Sequence, residues 1–316
     1  MPEVNSEPSK TKDQTAAKLE QATAVQHQHE QPFKKYLLSS LIQSVVSTLL
    51  FHWFDRAFYL ATIHKRPMWN SANFVSPFQG CLQAISFKFC FGSIYYIAQQ
   101  EARNHIYPVV AIQFNGGAIL ANIAVGGFAG TVNALFTNPT SAIKSQMWGN
   151  DYAQFTPTAK KMWAAGKAEP FIRGVRPTIY RDMIFGSSYE VIRSVLHKMF
   201  LPERQGKKTQ GGVLTTDFAC NTTSGIIATL LSSPHNYAKN MQYKALPHQP
   251  MPSVTEIFRS LYQESRQQSG SLLRQLTFFG LRFNPHWGML RTGAGMGAGQ
   301  AIFDTVHAWD TARSPR

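Results

Sequence analysis

Arginine and lysine side chains stand inside long apolar stretches of this sequence, where a charged group is costly. Arg181 and Arg291 lie in segments that otherwise predict apolar helices, and an unpaired guanidinium is expensive there. Asp182 neighbours Arg181, but adjacent residues on a helix diverge by about 100°, so we expect the two side chains to point apart. Lys88 is the single charged residue from 67 to 100 and would form the third corner of a binding site.

Water and an anionic ligand would supply the partners that these cations need. A guanidinium presents a planar fork that grips two oxygens of a carboxylate or phosphate, whereas an ammonium acts as a point charge. The sequence therefore predicts a wet cavity that binds a small anion. The alternative is that Arg181 and Asp182 form an internal ion pair with a purely structural role.

Residues for other kinds of chemistry do not form a recognisable pattern. We find no Ser/His/Asp set, metal-ligand cluster or phosphate-binding loop, so we predict no enzyme activity, no cofactor and no metal. Cys81, Cys90 and Cys220 lack metal-ligand spacing and are interpreted as buried thiols in a reducing compartment. The net charge of +14 suits an anionic solute or lipid surface. Without a nucleic-acid motif or clustered basic helix, we predict no nucleic-acid partner.

The elements that hold these cations are indicated by a pattern that occurs three times. Residues 130–144 and 225–239 each begin with glycine, reach proline after nine residues and reach lysine five residues later. Residues 44–58 keep the same spacing, with Trp53 at the proline position and Asp55 two residues later. A repeat of this length, seen three times, indicates a threefold internal repeat.

A second feature recurs at the same period. Residues 78–80 end in glycine and are followed by Phe-Gly-Ser at 91–93, and residues 171–174 are followed by the same tripeptide at 185–187. Each repeat is therefore predicted to be a pair of long helices, one carrying the proline and one opening at the glycine.

The helices are predicted from apolar runs and their breaks. No Asp, Glu, Lys or Arg lies between Arg103 and Lys144, which is long enough for a membrane-spanning helix of about 20 residues. Residues 1–33 are polar, resemble no presequence and should be disordered. Long helices are expected at about 35–60, 80–103, 109–147, 174–199, 213–245 and 284–309, with surface helices at 157–167 and 253–267.

These repeats resemble the mitochondrial carrier family, whose signature is Pro-x-Asp/Glu-x-x-Lys/Arg followed by an aromatic-Lys/Arg-Gly element. Residues 138–144 and 233–239 resemble the first element with the acid replaced, and 171–174 resembles the second. The resemblance implies a divergent member: an all-α membrane protein of the mitochondrial inner membrane, with six transmembrane helices arranged as three pseudo-symmetric two-helix repeats. The repeats would span 34–106, 107–203 and 204–312, with both chain termini on one side.

The resemblance also assigns the substrate contacts, which in this family lie about two turns past the glycine element. The residues between the glycine element and the contact are counted from Gly80 in repeat one and from Gly174 in repeat two. In repeat three, the count could begin at either Gly280 or Asn284. Asn284 is preferred because it places the later motif at Phe303 correctly. The implied substrate-binding residues are Lys88, Arg181, Asp182 and Arg291. An Arg-Asp pair resembles carriers of amino acids, and the predicted substrate is an amino acid, carboxylate or nucleotide.

Alternating access in this family depends on gates at both ends of the cavity. Pro139 and Pro234 should bend their helices, and an acid and a base three residues apart lie near one helix face. Asp55 could pair with Lys144, whereas Ser141 could only hydrogen-bond Lys239. Asn236 would meet the position of Phe58, where an ion pair is impossible. The alternative role for Lys144 and Lys239 is snorkelling to an anionic lipid surface.

The second gate should lie near the far ends of the even-numbered helices. Like the first gate, it lacks several of the acids and bases of the family pattern. Asp304 and His307 resemble its acid and base. The second predicted helix offers Gln100 and Arg103, and the fourth offers Ser194 and His197. Weak gates keep an alternative function open, in which the chain no longer transports and acts as a carrier-fold membrane scaffold or insertase.

Lipid is the second expected partner. Free N–H groups at a helix start can bind a phosphate, and Gly80 and Gly174 each open a helix, with Arg173 adding charge beside one of them. We therefore expect an anionic lipid such as cardiolipin at these positions. The chain is predicted to act as a monomer.

Overall fold

The structure, a computed structural model, describes residues 33–91, 94–114, 117–149, 153–200, 210–245, 249–267 and 271–313. The disorder predicted for the polar tail therefore concerns residues that lie almost wholly outside the described ranges. Within those ranges every regular element is helical, and strands are absent. The expectation of an all-α protein is confirmed.

The described residues form α-helices together with one 3-10 turn at Ser71–Asn73. The helices are α1 (Phe33–His64), α2 (Cys81–Phe91), α3 (Ile94–Gln113), α4 (Ala118–Trp148), α5 (Phe155–Gly166), α6 (Glu169–Ile172), α7 (Val175–Phe200), α8 (Gln210–Lys244), α9 (Val254–Gln267), α10 (Leu272–Phe283) and α11 (Pro285–Arg313).

The long helices pack into a closed ring. Helix α1 packs against α2, α3 against α4, α4 against α7, α7 against α8, and α8 against α11. Helix α11 then packs against α1, so that the last long helix meets the first. The helices α5, α6, α9 and α10 connect the ring helices at one end.

Small residues bring the ring helices into close contact. Gly126 on α4 lies against the backbone of Gly186 on α7, and Gly130 lies against the backbone of Asp182, so a Cβ at either position would collide with main-chain atoms. Close approach of this kind is typical of helices that pack in a bilayer, where burial of apolar surface gives no drive for association. The glycines therefore determine how closely α4 and α7 approach.

Several helix boundaries differ from those expected. The second predicted helix corresponds to α2 and α3, which are described on either side of residues 92–93. Helix α3 continues to residue 113 and contains Pro108, so the start expected at 109 for the following helix is wrong, and α4 begins at 118. Helix α10 was not expected at all. The surface helices predicted at 157–167 and 253–267 are found as α5 and α9.

Proline lies inside helices α4 and α8, at positions 139 and 234, as expected. In the described part of the chain, α4 alone is both long enough and apolar enough to cross a membrane by length and composition. Helix α2, with 11 residues, is too short for this criterion.

Three residues with left-handed backbone stand directly before helices of the ring. Gly80 (φ 75°) precedes α2, Gly174 (φ 71°) precedes α7, and Asn284 (φ 48°) precedes α11. Gly280 lies inside α10 instead. The count in the third repeat therefore starts at Asn284, which makes Arg291 its seventh residue, just as Arg181 is the seventh after Gly174.

Candidate functional site

A cluster of charged side chains forms inside the helix ring. Each of the helices α1, α2, α4, α7, α8 and α11 contributes at least one of them. Asp55 on α1 lies within electrostatic range of Arg291 on α11, Lys144 on α4 and Lys88 on α2. Lys239 on α8 lies within range of Lys144, Asp55 and the α7 pair of Arg181 and Asp182. The group contains five cations and two carboxylates, and we call it the ring cluster: Asp55, Lys88, Lys144, Arg181, Asp182, Lys239 and Arg291.

The ring cluster is packed among helices but is reachable by solvent. The side chains of Arg291 and Asp55 are 23% and 37% exposed, and those of Arg181 and Asp182 are 27% and 11% exposed. Lys88, Lys144 and Lys239 are half-buried. A cluster with three more cations than carboxylates, open to water, suits an anionic ligand.

Asp55 pairs with Arg291, not with Lys144 as expected. The Arg291 Nε donates to Asp55 Oδ1 at 2.7 Å and its Nη2 donates to Asp55 Oδ2 at 3.0 Å. This two-bond geometry is the strongest that a guanidinium and a carboxylate can adopt. The guanidinium also lies over the Phe51 ring, 5.0 Å from its centroid. One predicted substrate contact and one predicted gate residue therefore form a single ion pair between α1 and α11.

Arg181 contacts its neighbour Asp182, which corrects the expectation that the two side chains point apart. The Arg181 Nε donates to Asp182 Oδ1 at 2.6 Å. The other carboxylate oxygen accepts from Asn133 Nδ2 on α4 at 3.2 Å. The long arginine side chain can fold back along the helix, which the angle between adjacent positions does not prevent. Both arginines therefore have a carboxylate partner in this conformation, so the assumption that they lack one is wrong.

The two signature lysines lie over aromatic rings. Lys144 Nζ is 4.7 Å from the centroid of Trp148, and Lys239 Nζ is 5.7 Å from the centroid of Tyr243. Each ring stands one helical turn after its lysine, where side chains of i and i+4 meet. A cation gains electrostatically over a ring face. These contacts stabilise the lysines without the acids that the family signature would supply.

Ser141 does not meet Lys239 in the expected way. Its hydroxyl hydrogen-bonds the side chain of Tyr243, whose own hydroxyl donates to Asn138 Oδ1 at 2.8 Å. Asn236 is half-buried on α8, while Phe58 packs in an apolar cluster with Phe54 and Ala57.

A second ion pair lies farther along the ring, between α3 and α7. Arg103 pairs with the buried carboxylate of Glu190, which Gln99 also contacts. Glu190 is nine residues beyond Arg181, or about 13 Å along the helix. The sequence analysis noted Arg103 but gave Glu190 no role, because it stands one turn before the expected gate position at Ser194. The available signal was an acid within the apolar stretch between Asp182 and Arg193.

Other residues of the predicted second gate are placed less centrally. His197 lies 3.6 Å from Asp217 of α8, and Gln100 donates to Asn104 on its own helix. Asp304 and His307 belong to α11, but their side chains lie outside the described residues.

The predicted lipid positions have structural roles of their own. A Cβ on Gly80 would collide with the Met147 side chain, and a Cβ on Gly174 would lie 2.5 Å from the Tyr243 ring. Arg173 is buried and its Nη2 donates to Glu169 at 2.8 Å and to the Gln249 carbonyl at 3.1 Å. Its charge is therefore already paired with a carboxylate, contrary to the expectation that it adds charge for a phosphate.

An apolar groove of about 740 Å³ runs between α4 and α7 and is lined by residues such as Phe128, Met183 and Val191. It contains none of the ring cluster. The groove therefore suits apolar groups and is distinct from the charged site.

The long helices thus form a ring around a water-accessible, predominantly cationic cluster. Residues 116–204 match the model of a family described as mitochondrial carrier protein. Over this segment the chain is similar to the mitochondrial carrier family, whose members are membrane transporters. A comparison with curated proteins found no match.

Proposed function

We propose that the chain moves a small anionic metabolite, namely an amino acid, a carboxylate or a nucleotide, across the mitochondrial inner membrane by alternating access. In this proposal the ring forms six transmembrane segments, grouped as repeats at 34–106, 107–203 and 204–312, with both termini on one side. The observation that carries the proposal is the ring cluster, to which every segment contributes a charge. Its excess of three positive charges favours an anionic substrate over a cationic one.

Substrate binding and opening are coupled in this proposal through Arg291. Its guanidinium holds Asp55 and so ties α11 to α1. A carboxylate or phosphate entering the cluster competes with Asp55 for the same donors. When the substrate takes those donors, the tie between the first and last helices is lost. A ligand shifts a conformational equilibrium only through its different affinities for the two states, and this exchange of partners supplies such a difference.

The pair of Arg103 and Glu190 ties α3 to α7 on the other side of the cluster. We propose that this pair holds the opposite end of the cavity closed, as the Asp55–Arg291 pair does at the first end. Opening towards one side then breaks the Asp55 pair, and opening towards the other breaks the Glu190 pair. The two ties lie on different helices, so they can break in turn.

Uptake of labelled anions into proteoliposomes tests the proposal. Replacing Arg181 or Arg291 by Ala should abolish uptake, because the anion loses its two-bond partner, while membrane insertion stays intact. Replacement by Lys should also impair uptake, since a point charge cannot reproduce the planar fork. Arg176→Ala is the matched control, because Arg176 is exposed on the same helix as Arg181. Wild-type uptake in both alanine variants would refute the site.

A second function is favoured by one observation. Lys144 and Lys239 lie over aromatic rings, and Asp55, the gate acid nearest to Lys144, forms its hydrogen bonds with Arg291 instead. Within the described residues, the signature network that closes a carrier is therefore incomplete. The chain would then be a non-transporting carrier-fold scaffold or insertase. A folded, inserted wild-type protein that transports none of a broad panel of anions would establish this function in place of transport.

Anionic lipid remains part of the proposal at the starts of α2 and α7. Gly80 and Gly174 leave backbone N–H groups at these helix ends, which suit a phosphate. Cardiolipin should raise the melting temperature of the purified protein more than a zwitterionic lipid does. Equal melting temperatures in cardiolipin and in the zwitterionic lipid would contradict lipid binding at the starts of α2 and α7.

A further inference from the structure

Helix α10 occupies a segment that is much longer in the third repeat than in the second. From Pro139 to Gly174 the chain advances 35 residues, whereas from Pro234 to Asn284 it advances 50 residues. Both segments contain one surface helix, α5 or α9, and the additional length in the third repeat is largely α10. The ring therefore does not need α10 to connect its helices.

One side of α10 is held firmly by the protein. Phe278 is 7% exposed and packs in a cluster with Tyr237 of α8 and with Ile257 and Leu261 of α9. Arg282 donates to Glu264 of α9 at 2.9 Å. These contacts determine which side of the helix faces outwards.

The outward side of α10 is a leucine surface. Leu272, Leu273 and Leu276 are 72%, 73% and 59% exposed, and they lie within about 100° of one another on the helix. Gly280 falls in the same arc, and a Cβ added to it would meet no atom within 4 Å. Exposure of several adjacent large apolar side chains marks a surface that binds something.

The place of α10 in the fold identifies its partner. Asn284 alone separates the end of α10 from the start of α11, so the helix lies at the level where a ring helix enters the membrane. Arg274 is exposed on the same helix. Leucines on one arc with arginine beside them are typical of helices that lie in an anionic membrane interface.

We propose that α10 is an in-plane membrane anchor, with Leu272, Leu273 and Leu276 inserted at the boundary between headgroups and acyl chains of an anionic leaflet. The inference rests on the proposed function, since it requires the ring to span a bilayer. The anchor holds the mouth of the cavity between α8 and α11 at a definite depth.

Site-directed spin labelling tests the anchor in the whole protein. Cys81, Cys90 and Cys220 are first replaced by Ala, and a single cysteine at Leu276 receives a nitroxide. The protein is reconstituted into vesicles of phosphatidylcholine with phosphatidylglycerol. Collision rates with oxygen, which partitions into lipid, are compared with those of a water-soluble nickel chelate. The ratio of oxygen to nickel collision rates should be several-fold higher for a label at 276 than for a label at the water-exposed position 263.

Two control positions separate the failure of the anchor from the failure of the membrane assignment. Leu135 on α4 is 52% exposed and should be lipid-accessible, while Gln263, on the polar face of α9, should be nickel-accessible. A label at 276 that behaves like the one at 263, with 135 in lipid, overturns the anchor and leaves a membrane-spanning ring. That outcome would indicate a protein partner for the leucine surface. A water-accessible label at 135 would instead overturn the proposed function.

Discussion

At the scale of single residues, two glycines of this chain are expected to respond oppositely to the same substitution. Gly174 has a φ of 71°, and a Cβ there would lie 2.5 Å from the Tyr243 ring. Gly174→Ala should therefore lower the free energy of unfolding by about 1–3 kcal/mol, through backbone strain and displacement of the ring. Thermal unfolding of the purified protein measures the change.

Gly280 is the matched control because it lies inside α10 with open space around its Cβ position. Gly280→Ala should raise the free energy of unfolding by up to about 1 kcal/mol, since alanine is the better helix former. Equal effects at the two glycines would contradict the distinction drawn from the backbone.

The predicted site residues show what residue types can and cannot reveal. Arg181 and Arg291 were identified because a guanidinium in an apolar segment is costly and therefore indicates a ligand or a charged partner. Their partners were not identified, because the pairing of Arg291 with Asp55 depends on the contact between α11 and α1, which no local pattern records. Glu190 carried the same signal as the arginines, but its position one turn from the family motif concealed its role.

At the scale of the element, helix α9 has a capping box that makes its start sensitive to pH. The Ser253 backbone N–H donates to Glu256 Oε2 at 2.7 Å, and the Glu256 N–H donates to Ser253 Oγ at 3.1 Å. Hydrogen bonds from the Ser253 backbone and hydroxyl lower the pKa of Glu256, with a smaller contribution from Arg259. The cap therefore stabilises α9 above the ordinary pKa of glutamate and is lost as pH falls through the lowered value.

Amide hydrogen exchange in α9 should report this cap. Protection of its first turn should fall as the pH drops below the ordinary glutamate pKa of about 4.3, once rates are corrected for intrinsic exchange. Glu256→Gln should remove this pH dependence, because an amide does not titrate there. Exchange in α5, which has no acid in its first turn, is the internal reference.

Helix patterns predicted some elements of this fold and missed others for physical reasons. A surface helix was expected at 253–267 and is found as α9. Helix α10 was missed although its sequence is amphipathic, because the repeat pattern provided for a single surface helix in this segment. The boundary near 109 was wrong because the α3 helix accommodates Pro108 and continues to residue 113.

At the scale of the whole molecule, the Asp55–Arg291 pair closes the ring between its first and last helices. Asp55→Asn should lower the free energy of unfolding by about 1–3 kcal/mol, because charge-assisted hydrogen bonds are replaced by weaker ones. The substitution should also reduce the effect of substrate on opening of the contact between α1 and α11. The reason is that an amide at position 55 competes poorly with the substrate for the Arg291 guanidinium. Thermal unfolding with and without substrate measures both effects.

Glu264→Gln is the control for the Asp55 variant. Glu264 is about as exposed as Asp55, at 39% against 37%, and pairs with Lys65 at 3.4 Å and with Arg282 at 2.9 Å. One Arg282 nitrogen donates to Glu264, whereas two Arg291 nitrogens donate to Asp55, so the loss at Glu264 should be smaller, about 0–1 kcal/mol. A loss from Asp55→Asn no larger than that from Glu264→Gln would show that the ring is closed by packing alone.

The spacing of proline and lysine indicated a resemblance to the family but not the ring closure. Helices α7 and α8 lie close to their expected ranges, whereas α4 begins at 118 instead of 109. The residues that depart from the family signature alter the interactions between helices. Those interactions are long-range, so their replacement by aromatic contacts at Trp148 and Tyr243 became visible in the structure.

The contact between α1 and α11 also has a consequence for biosynthesis. Asp55 is translated early, whereas Arg291 follows more than two hundred residues later. The pair therefore forms only when two residues more than two hundred positions apart are both in place. A product that stops before Pro285 lacks both the partner of Asp55 and the helix that closes the ring.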